Sequence, residues 1–316
     1  MDVIVLAGGF GTRLRPWTES FPKPLLPILD KSMIEHVVDI LPEERVDTVL
    51  IAAGYGIEKM REHFEAVPLP YEVRVVEEKE PLGTGGAIAN CRDFLSGGTF
   101  CVINGDLVSS LRMDEMLEFH KSNGGLATIS LWEVEDPSRF GVADYIPDTG
   151  KIMRFQEKPP LEEAYSNLIN AGTYILEPEI FKLMPDGPHS MERDVYEDLS
   201  ATGGLNGFPF EGWFVDAGTP ASFIEANQVC ISEEKFSSGS AHEDSWFGEG
   251  ATNMGEVSKS SIGAGVSIGE RAVVRGSAIL EGAQIGANCT IESCLIGMGA
   301  IIPEGSILQG EIVNHR

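Results

Sequence analysis

The 316-residue chain predicts an α/β domain followed by a short parallel β-helix, on three observations. Up to residue 231, apolar runs rich in β-branched residues alternate with segments of helical period, which suits a mostly parallel sheet covered by helices on both faces. Residues 232–258 then turn polar and rich in Gly and Ser, and read as a linker. From residue 259 to 316 aliphatic residues recur every five or six positions, the mark of a hexapeptide repeat.

In chain order, the runs VIVLA, VDTVLIAAG, VRVVEE, TFCVING, GLATISLWEV and NAGTYIL read as strands. MIEHVVDIL, GIEKMREHF, TGGAIANCRDFL and MDEMLEFHKSNG between them read as helices. In the first of these, Met33, Val37, Ile40 and Leu41 fall on one helical stripe. The resulting arrangement is Rossmann-like. In the tail, Ile262, Ile268, Val274, Ile279, Ile285, Ile291, Ile296, Ile302 and Ile307 each supply one inward side, enough for about three coils.

Composition narrows the function. A hydrophobic share of 42% and a charged share of 23% are those of a globular protein with a core. With 49 acidic against 23 basic residues, a net charge of -26 lacks the basic footprint that nucleic acid or an anionic membrane requires. The five cysteines form no C-x-x-C pair, so buried reduced thiols are expected rather than a zinc site. The apolar run Val3 to Ala7 is too short for a signal peptide or a membrane span, and no later run is longer, so a cytoplasmic location is expected. The six histidines share no metal spacing.

The strand VIVLA runs directly into GGFGTR, which places glycines where an open α/β sheet binds ligands. No G-x-x-x-x-G-K-[ST] string exists, and the dinucleotide spacing from Gly9 and Gly11 meets Leu14 where Gly or Ala is needed. What remains is a nest of backbone N–H groups at Gly8, Gly9 and Gly11, flanked by Arg13, Arg15 and Lys23. Between positions 13 and 23 the one acid is Glu19, so this acidic chain offers a polyphosphate a local cationic lure. Asp106 in CVINGD and Asp216 in GWFVDAGTP each end an apolar run, and two such carboxylates can converge on one Mg²⁺. In EEKEPLGTGGAIAN, Gly83, Gly85 and Gly86 would let a planar base lie against backbone, or Thr84 would simply cap a helix.

The string Gly9-Phe10-Gly11-Thr12-Arg13, nine residues, then Lys23-Pro24 resembles the signature of the sugar-1-phosphate nucleotidyltransferases, the nucleotide-diphosphate-sugar pyrophosphorylases. The tail repeat likewise resembles the left-handed β-helix found in that family and in hexapeptide acyltransferases. No histidine lies between residues 243 and 314 to act as an acyl-transfer base, so stacking or homo-oligomerisation is the expected role of the tail. The resemblance implies that a nucleoside triphosphate meets Leu6, Ala7, Gly8, Gly9, Gly11 and Thr12, with Glu80 and Gly85 reading the base. It implies Arg13 and Lys23 as catalytic cations, and Asp106 and Asp216 as both catalytic residues and Mg²⁺ ligands. Gly141, Glu157, Lys158 and Asn170 would hold the sugar-1-phosphate.

Within the family, EPLGTGGAI, EDPSRFGV, EKP, INAGTYIL and SMERDVYEDL look most like the mannose-1-phosphate guanylyltransferases, which favours GTP. Glucose-1-phosphate uridylyl- and thymidylyltransferases, heptose-1-phosphate guanylyltransferases and a non-catalytic regulatory subunit stay open as alternatives. The presence of Gly11, Arg13, Lys23, Asp106 and Asp216 together favours an enzyme over the last.

Overall fold

A computed structural model describes residues 1–316. The chain divides into two compact units, residues 1–9, 37–105 and 109–214 in the first and 10–36, 106–108 and 215–316 in the second.

The first unit is built on nine strands: β1 Asp2–Leu6, β2 Thr48–Ala53, β3 Glu72–Glu77, β4 Phe100–Asn104, β5 Ala127–Glu133, β6 Gly141–Ile146, β7 Lys151–Glu157, β8 Leu168–Leu176 and β9 Leu205–Pro209. They lie in the order β3-β2-β1-β4-β8-β5-β9-β7-β6. From β3 to β4 every pairing is parallel, as expected. Beyond β4 the sheet is mixed. β8 runs antiparallel to both β4 and β5, β9 is parallel to β5, and β7 is antiparallel to β9 and β6. A short connection is the cause at the edge: residues 147–150 join β6 to β7, with Gly150 at φ 67, and so short a turn can only produce an antiparallel neighbour. The apolar-run reading misses β6, β7 and β9 because none presents a long apolar run: in β7 only Ile152 and Phe155 are buried, β6 is buried only over its first three residues, and β9 includes Asn206, Gly207 and Pro209.

Helices cover both faces. Val3 pairs with Cys101 in register, so the two share a face, and the Cys101 thiol meets Met113 at the start of helix Met113–Asn123. Ile4 and Val102 point the other way, into a cluster with Ala87 and Ile88 of helix Gly83–Asn90. Strands buried on both sides need continuous apolar residues, which is why β1, β2 and β4 were legible.

In the second unit, Thr219 and Ser222 form a reciprocal capping box that starts helix Pro220–Ser232. The β-helix follows. Phe247, Ile262, Ile279, Ile296 and Val313 stack in parallel register on one of its three faces, the last four at 17-residue intervals. The coils are so close that a Cβ on Gly263 would sit 2.6 Å from the Glu281 backbone nitrogen.

Two expectations about the tail need correction. Residues 232–258, expected as linker, contain strands Ser245–Phe247, Thr252–Asn253 and Glu256–Ser258, each paired in parallel with the coil that follows. The first coil therefore starts well before residue 259; Asn253, exposed but in register with Ile268, breaks the aliphatic repeat and hid it. Ile307 does not face inward either. Leu308 is the residue in register with Ile291, while Ile307 is 78% exposed, because each 17-residue coil is made of steps of six, six and five residues. All five cysteines are buried and none is in a disulfide, and no helix is long and apolar enough to cross a membrane.

Candidate active site

In the second unit the loop after the glycines is wound tightly on itself. Gly11 has φ 58, and a Cβ there would lie 2.9 Å from Thr18 Cγ2 and 3.0 Å from Lys23 Cβ. The Thr18 hydroxyl donates to the Gly11 carbonyl at 2.9 Å, and Leu14 and Trp17 are fully buried beneath. This winding leaves Arg13 and Arg15 exposed but draws the Lys23 ammonium inward, where it pairs with Asp106 Oδ2. Asp106 precedes strand Leu107–Ser109, which pairs with strand Phe214–Asp216, and the Ala217 amide donates to the Asp106 carbonyl at 2.9 Å. The two strand-end carboxylates are thereby brought to one place.

Asp216 Oδ1 is buried and accepts no hydrogen bond. A Cβ on Gly218 would be 2.7 Å from that oxygen and 2.7 Å from Arg13 Nη2, so the missing side chain at 218 lets cation and carboxylate approach. Burial holds the Asp216 carboxyl above its ordinary range, helped by the Asp106 charge and opposed by Lys23 and Arg13. A buried orphan oxygen beside a second carboxylate suits a divalent cation. The cluster lacks a third acidic, His or Cys ligand, which fits an ion such as Mg²⁺ that takes one or two carboxylates and fills its remaining positions with water and phosphate.

In the first unit, Leu6 ends β1, and Gly8 and Gly9 follow at the carboxyl end of the parallel strands. Gly8 is pressed against an unforeseen residue, Glu78: a Cβ at Gly8 would lie 2.7 Å from Glu78 Oε1. Glu78 is 7% exposed, and burial raises its carboxyl, opposed by a hydrogen bond from the Leu82 amide. Glu80, which the motif suggested, is exposed. The signal for Glu78 was available: it follows the last residue of a parallel strand, the position that singled out Asp106 and Asp216.

Gly85 is buried, and the space its side chain would occupy holds the His189 ring. Its amide donates to the His189 carbonyl at 3.0 Å. Thr84 is not the helix cap, which falls at Leu82; its hydroxyl donates to Glu192 Oε2 at 2.7 Å and accepts from the Met191 amide at 2.9 Å. The base-loop helix is thus locked to residues 189–192, a contact that no spacing rule reveals.

The residues expected to hold the sugar-1-phosphate also gather in the first unit. Gly141 and Glu157 are register partners on β6 and β7, and a Cβ on Gly141 would fall 3.1 Å from Glu157 Oε2. The Lys158 ammonium donates to Glu157 Oε1 at 2.6 Å. Ile169 pairs with Val142, which brings the neighbouring Asn170 to the same end of the strands, where it donates to the Tyr174 hydroxyl at 3.0 Å.

A glycine turn, two cations and two converging carboxylates, gathered in the second unit, define a class of phosphate-handling enzyme. The nucleotidyl transferase family pattern covers residues 2–233, and a pattern described as GlmU-like, C-terminal hexapeptide covers residues 225–311. The chain belongs to the sugar-1-phosphate nucleotidyltransferase family. It is 35% identical to mannose-1-phosphate guanylyltransferase 1 of Arabidopsis thaliana over 92% of this chain and 81% of that protein. It is 36% identical to the mannose-1-phosphate guanylyltransferase catalytic subunit beta of Dictyostelium discoideum over 74% of this chain and 66% of that one. Among solved structures, HddC from Yersinia pseudotuberculosis matches with a TM-score of 0.62 and 31% identity, covering 75% of this chain and 99% of that one. HddC has also been crystallised in complex with GMP-PN.

Proposed function

We propose that the protein transfers GMP from GTP to mannose-1-phosphate, giving GDP-mannose and pyrophosphate. The observation that carries this reading is the meeting of Lys23, Asp106, Asp216 and Arg13 around one buried, unpartnered oxygen. A phosphate oxygen of the sugar-1-phosphate attacks the α-phosphorus, the bond from that phosphorus to its β-bridging oxygen breaks, and the electron pair leaves with pyrophosphate. The nucleophile is already an anion, so the protein supplies alignment and charge rather than a base. Arg13 and Lys23 neutralise charge on the triphosphate, and the Gly8–Thr12 backbone approaches it closely. Asp106 and Asp216 would hold Mg²⁺, which when bound draws charge from the phosphate oxygens.

Guanine is favoured by the names of the relatives and by Glu78, since the base presents N1–H and N2–H donors and a carboxylate accepts both. Gly85, with its amide already engaged, shapes the base loop instead of donating to the base. Lys158 and Glu157 clamp the sugar phosphate and a sugar hydroxyl, with Gly141 and Asn170 beside them. The β-helix, with Ile301 and Ile307 exposed along it, joins copies of the chain, which light scattering would test. Pyrophosphate release from four nucleoside triphosphates against mannose-, glucose- and heptose-1-phosphates tests the main reading. GTP with mannose-1-phosphate should exceed every other pair; a preference for another pair would replace this assignment.

A further inference from the structure

The tail meets the Gly11–Lys23 turn chiefly at Trp17, with the Phe21 ring also beside His315 at 6.3 Å between centroids. Trp17, fully buried, donates its indole N–H to the Val313 carbonyl at 2.8 Å. The His315 ring stacks on the same indole, centroids 5.5 Å apart at 27°. Across Trp17, Phe223 of helix Pro220–Ser232 meets it edge-on at 5.7 Å. That helix begins four residues after Asp216, and Trp17 precedes Thr18, whose hydroxyl holds the Gly11 carbonyl and whose methyl, with the Lys23 stem, encloses Gly11. Both halves of the charged cluster therefore lean on one indole, and that indole leans on the last coil.

We propose that the final β-helix coil positions the catalytic cations: Val313 and His315 fix Trp17, and Trp17 fixes the Gly11–Lys23 turn against Asp106 and Asp216. His315 and Val313 are positioning residues, since they touch neither phosphate nor metal ligand. The inference rests on the reading of Lys23 and Arg13 as phosphate-contacting groups. The tail is on this view part of the enzyme's working geometry as well as a stacking module.

His315 allows its two contacts to be separated. Its Nδ1 accepts from the Met298 amide at 2.9 Å, which ties down the coil, while its ring face carries the stack. His315→Phe keeps an aromatic face and gives up the acceptor; His315→Asn keeps an acceptor and gives up the face. An aromatic pair is worth about 0.5 to 1.5 kcal/mol, or roughly twofold to tenfold in rate. The expected result in the full-length protein is a kcat lowered by that factor in His315→Asn, with KM for the sugar phosphate unchanged and amide exchange over residues 11–23 accelerated. His315→Phe should restore both kcat and exchange protection. Wild-type values in His315→Asn would overturn the proposal, and so would equal impairment in the two variants or impairment of the Phe variant alone. The exchange measurement also separates the inference from the assigned reaction. A wild-type enzyme that made no GDP-mannose but showed the expected exchange pattern would sink the reaction and leave the positioning intact.

Discussion

The two units hold their candidate residues by different means. In the first, the base and sugar groups are set by backbone: Gly85 donates to the His189 carbonyl, Gly141 faces Glu157 through strand register, and Gly8 yields space to Glu78. In the second, the groups are charged, and their positions depend on a tight turn, on Gly218 and on an indole buried against the β-helix. On the proposed assignments, recognition would rest on rigid sheet geometry, while charge neutralisation would depend on side chains that need external support. Substitutions should accordingly affect selectivity in the first unit and turnover in the second.

The largest effect is expected at the carboxylates. Asp106→Ala and Asp216→Asn should each lower kcat by roughly 10²-fold or more, the scale seen when a group stabilising transition-state charge is removed. Far-UV circular dichroism should be unchanged. Burial, helped by the Asp106 charge, raises the Asp216 carboxyl in the folded state, so its contribution to stability falls as pH rises above its ordinary value of 3.8. Asp216→Asn should therefore melt at or above the wild-type temperature at neutral pH and lose that pH slope. Mg²⁺ should raise the wild-type melting temperature and not that of the variant. A variant that melted lower, or that still responded to Mg²⁺, would remove Asp216 from the metal assignment.

Next comes the turn. Gly11→Ala puts a methyl at φ 58, within 3.0 Å of both the Thr18 methyl and the Lys23 stem. The left-handed conformation alone costs about 1 to 2 kcal/mol, and the turn should open to relieve it. A tenfold or larger fall in kcat, measured by pyrophosphate release, is expected. In the first unit, Glu78→Gln should lower kcat/KM for GTP by about tenfold, as expected for loss of a hydrogen bond to a charged group. The residual reaction with other nucleoside triphosphates should be unaffected. An equal loss with every base would move Glu78 from selectivity to scaffolding. The smallest effect concerns the thiols: burial pushes Cys91 up to about 12, and Cys101 higher still. Native protein should bind almost no thiol reagent at neutral pH until it is unfolded.

Much of this was legible in the sequence where one physical rule governs one residue. Strands buried on both faces must be apolar, so β1, β2 and β4 announced themselves. Glycines and cations crowd where a strand ends, which marked Gly11, Arg13 and Lys23, and the same strand-end logic marked Asp106 and Asp216. What escaped depends on long-range packing. Glu78 directly follows a parallel strand, but the motif match pointed to Glu80 instead, and only the packing of Gly8 shows that Glu78 is the one buried. Trp17 looks like an ordinary buried aromatic until Val313 and His315 arrive from the far end of the chain. The first coil was hidden because a polar, exposed Asn253 stands in register with Ile268, where the later coils have aliphatics.

The 17-residue coil has a further meaning once both of its attachments are considered. Helix Pro220–Ser232 packs on the first coil at Ser245–Phe247, and Trp17 meets the last at Val313. Between these points the stack acts as a ruler graduated in strand spacings of about 4.8 Å. Removing one whole coil would leave every inward aliphatic in phase and the repeat still able to fold. It would nevertheless carry the Val313 carbonyl one graduation away from the indole, beyond reach of a hydrogen bond. On the proposed positioning, the number of coils, and not only their sequence, sets the height at which Val313 meets the Trp17 indole.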